Sequence, residues 1–185
     1  MLLRSISIGL VGCALLAAPL NSVARTKRGP STAEERQRVL QLIQDWEADP
    51  IGPNAKNQFS SILVWLSKVP DVEVNLCTIF EREFWDGRQD GSAIYIGLDM
   101  EQTKYVLEHY GQHYELIGEY QAGVEGALRV YEMLVKANPG DRQPYYDDLV
   151  QRRDAGRLAP WIKNWTVPCS LIASCGTLQA GNVDL

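Results

Sequence analysis

Histidine is almost missing from this chain: there are two in 185 residues, His109 and His113. Any chemistry that needs imidazole therefore has one place to sit. Other absences narrow the field further. There is no GxSxG elbow, no GxxxxGK[ST] phosphate loop and no GxGxxG after a strand, so serine nucleophiles and nucleotide cofactors have no recognisable motif. HExxH is absent too, because Tyr110 follows His109. The cysteines form no CxxC pair, and separated cysteines make a poor zinc cage. Lysine and arginine number 18 against 23 acids, for a net charge of −5 and an isoelectric point near 5.1. That balance excludes a general nucleic-acid binder, which must neutralise phosphates, and leaves no basic patch for an anionic membrane surface.

What is present is ordinary globular material. Hydrophobic residues make up 45% and charged residues 22%, enough for one domain with a real core. Residues 1–24 read as a signal peptide: Arg4, then the apolar run ISIGLVGCALLAAPL, then SVA before Arg25, the small residues a signal peptidase requires. The run is shorter than the ~20 residues of a spanning helix, and no second such run follows. The expectation is a secreted or periplasmic protein with no transmembrane helix in its mature form. LVGC at Leu10–Cys13 resembles a bacterial lipobox, so lipoprotein anchoring at Cys13 is the minor alternative. The apolar CALLAAPL that would then head the mature chain, where a polar tether belongs, tells against it.

Removing the signal leaves Cys77, Cys169 and Cys175. In an oxidising compartment an odd set suggests one disulfide and one free thiol, with connectivity open. Cys169 with Cys175 closes a short terminal loop, whereas Cys77 with Cys169 staples the tail to the body. The longer loop gains more by chain entropy, which favours a bridge involving Cys169.

Periodicity predicts helices through most of the remainder. Ser31 with Glu34, or Thr32 with Glu35, makes a capping box ahead of Val39, Leu40, Leu42, Ile43 and Trp46. A second helix is expected from about Asn54 to Lys68. Val72–Trp85 alternates like a strand at its start and repeats like a helix later; it is read as helix because no neighbouring segment offers a second strand. From Ser92 two helices are expected, broken between Gly111 and Gly123 and ending at Asn138-Pro139-Gly140. Pro144 opens another, which Gly156 closes, and LAPWIKNW adds a turn or two. The predicted fold is mostly α: a compact bundle of five to seven helices over residues 31–166. A flexible stretch, 25–30, precedes it, and a tail, 167–185, carries Cys169 and Cys175. Ala127, Tyr131 and Pro139 match half of a tetratricopeptide pattern, but Gly111 and Gly118 stand where its first helix needs large residues.

On a continuous helix His113 would lie about 40° from His109, so the two rings could converge on zinc or copper. A third ligand would have to be a carboxylate or thiolate, and Glu108 and Glu119 point elsewhere on such a wheel. Two solvated or half-buried histidines in a tyrosine-rich helix is the plainer reading. Glu81, Glu83, Asp86 and Asp90 form an acidic stretch that fits a solvated face better than paired catalytic acids. Asp86 and Asp90 also begin like a calcium loop, which fails at Arg88 and Gly97. Trp161 and Trp165 could stack on a ligand, but their spacing suits a core edge. Asn164 opens a formal glycosylation sequon. No catalytic residue is assigned and no cofactor is implied beyond a weak case for zinc or copper. The expected role is non-enzymatic binding of a partner protein or envelope component. The alternative is a metal-dependent or hydrolytic enzyme built on His109 and His113.

Overall fold

The computed structural model describes residues 28–77, 84, 91–171 and 175–177. The signal peptide, the lipidation alternative at Cys13 and the acidic stretch with Glu81, Glu83, Asp86 and Asp90 lie outside the described residues. Within them the chain is mostly helical, with six helices. These are α1 (Ala33–Ala48), α2 (Ala55–Leu66), α3 (Gly91–Glu108), α4 (Leu116–Ala137), α5 (Pro144–Asp154) and α6 (Leu158–Leu171). None of them is long and apolar enough to cross a membrane.

Local chemistry sets the ends. Of the two capping boxes on offer, Thr32 and Glu35 form the real one: the Thr32 hydroxyl accepts from the Glu35 N–H at 3.2 Å, and the Glu35 carboxylate accepts from the Thr32 N–H at 3.0 Å. Val39, Ile43 and Trp46 then fall on one face and are buried. Ala55, Ile62 and Leu66 do the same on α2. Burying each of the larger side chains contributes about 1.5–3 kcal/mol. Asn138 caps the 3-10 turn Pro139–Asp141, and Pro144 opens α5.

The centre is an antiparallel hairpin of α3 and α4, which share far more contact than any other pair. Helix α1 packs on the α3 side and in turn carries α2, while α5 and α6 pack on α4. As the central element α3 has no polar stripe: Ile94, Ile96, Leu98, Met100, Val106 and Leu107 are buried, and so are Asp99, Glu101, Gln102 and Thr103. The hairpin closes through glycine. A Cβ on Gly97 would stand 2.8 Å from Val130 Cγ2 and 3.1 Å from the Gly126 carbonyl, and one on Gly126 would stand 2.6 Å from the Gly97 carbonyl. Only a missing side chain lets two backbones approach so closely.

Two expectations are corrected. Val72–Trp85 does not begin as helix: 72–74 are irregular, and Asn75–Cys77 form a strand, β1. Its partner is β2, Cys175–Thr177, paired antiparallel with Cys77 opposite Cys175. The partner comes from the far end of the chain, where no alternation announced it. The final helix is also longer than the turn or two LAPWIKNW predicts, since α6 runs to Leu171 and takes in Cys169. The break between α3 and α4 occupies 109–115 and overlaps the predicted window at Gly111, which adopts φ +75° just after α3 ends.

Candidate functional site

The helix break decides the geometry of the histidines. α3 ends at Glu108, so His109 opens the turn and His113 stands in the loop beyond Gly111. The continuous helix that the i, i+4 argument assumed therefore ends before His113. His109 is half-buried: its ring stacks on Tyr105 with centroids 4.1 Å apart and meets Tyr114 edge-on at 5.9 Å. Its Nδ1 lies 2.8 Å from the Tyr105 carbonyl. The His113 side chain is 94% exposed, and its nearest acid, Glu115, is 3.9 Å away and itself exposed. Among the described residues no three His, Cys, Asp or Glu side chains are grouped to hold a metal ion.

Behind that turn lies a polar centre that pattern reading missed. Glu119, in the first turn of α4, has no exposed surface. Its carboxylate accepts from the Asn75 N–H at 2.6 Å and from Asn75 Nδ2 at 2.8 Å. The side chain of Gln102, from α3, donates to the Asn75 carbonyl at 3.3 Å. Burial pushes the Glu119 carboxyl up to about 7, although the Asn75 donors and Tyr114 pull the other way. Burial and the neighbouring Glu119 raise the Tyr114 hydroxyl to about 12. On a helical wheel Glu119 belongs with Tyr120, Gly123 and Ala127, which was a usable clue to its burial.

A second buried carboxyl, Glu101, sits between α1 and α4. Burial, together with its contact to Glu47, pushes it to about 7, while Arg129 at 2.6 Å pulls it down. Glu47 pairs with Lys104 at 2.6 Å. Perturbed acids in a cleft are candidates for catalysis, but here Lys104 and Arg129 match the two acids one for one, as in a structural ion network.

The third cluster joins the start of α1 to the end of α3. Asp71 accepts from the Ser31 N–H and hydroxyl, both at 2.7 Å, and from the Tyr110 hydroxyl at 2.7 Å. Burial raises its carboxyl, but these donors together outweigh burial and hold it below the usual range. Arg36 completes the latch, donating to the Ser31 carbonyl at 2.7 Å and lying 3.7 Å over the Tyr110 ring.

The described surface also has a feature of another kind, an open recess of about 240 Å³ between α4 and α5. Tyr131, Val135, Lys136, Arg142, Asp147 and Val150 line it. Its floor is held by Tyr131, whose hydroxyl donates to Asp147 at 2.9 Å and accepts from the Gln143 N–H at 2.9 Å. Trp161 and Trp165 are partly buried against the core with centroids 6.1 Å apart, the core-edge placement their spacing suggested.

No family model, no curated protein and no solved structure matches this chain.

Proposed function

We propose that this chain is an exported helical protein that acts by binding a partner protein or an envelope component. The recess between α4 and α5 carries this reading. At about 240 Å³ it is below the ~300–1,000 Å³ of pockets that engulf a small molecule. It is open, and its lining mixes an aromatic, aliphatic side chains and charges of both signs. Arginine is one of the residue types that anchor protein contacts, and Arg142 stands at this recess with its side chain 65% exposed, beside the buried Tyr131. Such a recess suits one side chain presented by a larger partner. Export is supported by the N-terminal sequence: Arg4, a short apolar run and SVA before Arg25.

The test is site-specific photo-crosslinking in the native host, with the crosslinker at position 136 and a control at position 56 on α2. A discrete product from 136 alone, lost on Arg142→Glu, is the expected result. Matching products from both positions, or a product indifferent to Arg142→Glu, would reject the recess as the binding site.

A further inference from the structure

The register of the two-stranded ladder bears on the unassigned cysteines. Asn75 faces Thr177, Leu76 faces Gly176 and Cys77 faces Cys175. Directly opposed residues of an antiparallel pair lie on the same face of the sheet. They alternate between pairs that exchange hydrogen bonds and pairs that do not. Asn75 shows which kind comes first. Its N–H donates to Glu119 and its carbonyl accepts from Gln102, so both groups point away from β2. Asn75 and Thr177 are then a non-hydrogen-bonded pair. Alternation makes Leu76 and Gly176 the bonded pair, and Cys77 and Cys175 non-hydrogen-bonded again.

That is the position a cross-strand disulfide needs. Non-hydrogen-bonded partners stand with Cα atoms ~4.5 Å apart and side chains closer than in bonded pairs, within the ~4.4–6.8 Å a disulfide spans. We propose that Cys77 and Cys175 form the disulfide of the exported protein and that Cys169, in the last turn of α6, is its free thiol. Cys77 is the fixed half, since β1 is clamped at Asn75 by α3 and α4. Cys175 is the docking half, and a ladder of three residues per strand is too short to hold by itself. In the reaction the two thiols lose two protons and two electrons, and the S–S bond forms. The electrons reduce the disulfide of an oxidised thiol oxidoreductase, or of oxidised glutathione, to two thiols. The pairing replaces the bridge through Cys169 that loop length alone favoured, and it is independent of what the recess binds.

The experiment takes the full chain, equilibrated in oxidised and reduced glutathione, alkylated without reduction, digested and mapped by mass spectrometry. The expected product is a peptide pair joined through Cys77 and Cys175, with Cys169 alkylated. Reduction should lower the melting temperature by roughly 5–15 °C. Cys169→Ser should keep both the bridge and the reductant-sensitive melting temperature. Cys175→Ser should abolish both; should that variant fail to fold, Cys169→Ser and the peptide map decide alone. A bridge that includes Cys169, or full alkylation of Cys77 and Cys175 under oxidising conditions, would overturn the assignment.

Discussion

Glu119, with no exposed surface, accepts two hydrogen bonds from one residue: the backbone N–H of Asn75 at 2.6 Å and its side-chain amide at 2.8 Å. A carboxylate between two donors cannot be replaced by an amide without turning one contact into donor against donor. Glu119→Gln should therefore destabilise by about 1–3 kcal/mol, the range for a buried polar group left unpaired. Urea unfolding at pH 7 would measure it. Because Asn75 begins β1, the same variant should expose the β1 amides to faster hydrogen exchange than those in α1.

The two buried carboxyls predict the pH dependence. Glu101 and Glu119 are both raised to about 7 in the folded protein, against an unfolded value near 4.3. Between those values the folded state binds more protons, so stability is greatest near the lower one and declines as pH rises toward 7 and beyond. Asp71 and Glu47 are shifted down, so their contribution is present above the unfolded carboxylate range and is lost only as pH falls through it. The melting temperature should be highest around pH 5 and roughly 5–10 °C lower at pH 8. Glu119→Gln should remove about half of that decline. A flat profile over pH 5–8 would contradict the burial of both groups.

Gly126 is where the α3–α4 hairpin is tightest. In an exposed helix interior, glycine to alanine gains up to about 1 kcal/mol. Here the added Cβ would press on the Gly97 carbonyl and on the Glu101 side chain, and the sign reverses. Gly126→Ala should cost about 1–3 kcal/mol, and Gly97→Ala a similar amount. Thermal unfolding of the two variants, with an exposed-helix alanine as reference, checks this.

Asp71 holds Ser31 and Tyr110 by three bonds of 2.7 Å. Asp71→Ala should destabilise by about 2–4 kcal/mol, since hydrogen bonds to a charged group are the stronger kind. Tyr110→Phe should cost less, and the pair should be non-additive, because each removes the same bond. A double-mutant cycle with additive costs would show that the latch is not one unit.

The parts of the fold that depend on neighbouring residues were legible in the sequence. The Thr32–Glu35 box, the stop at Asn138-Pro139-Gly140 and the start at Pro144 are each written within a few residues. What depends on distant partners was not. β1 pairs with residues from the other end of the chain, so alternation at Val72 and Val74 had nothing visible to support it. The wheel placed Glu119 beside Gly123 and Ala127, but spacing along α4 could not show its partner Asn75, which comes from a distant part of the chain. The histidines looked convergent because helical spacing was extended across Gly111, whereas the helix has already ended there and Gly111 adopts a positive φ. The recess was invisible for the same reason: Tyr131 and Val135 come from α4, while Asp147 and Val150 come from α5.

His109 and His113 separate the two functional readings most directly. His109 is stacked on Tyr105 and His113 is solvent-exposed. His109→Ala should cost about 0.5–1.5 kcal/mol, the worth of an aromatic contact, and His113→Ala should fall within about ±0.5 kcal/mol, as at ordinary surface sites. The deciding measurement is the zinc and copper content of the protein from its native compartment, purified without a tag beside both variants. The account predicts well under one metal ion per chain, unchanged by either substitution. About one zinc or copper ion per chain, lost in both variants, would contradict it and make the pair the centre of a metal-dependent enzyme.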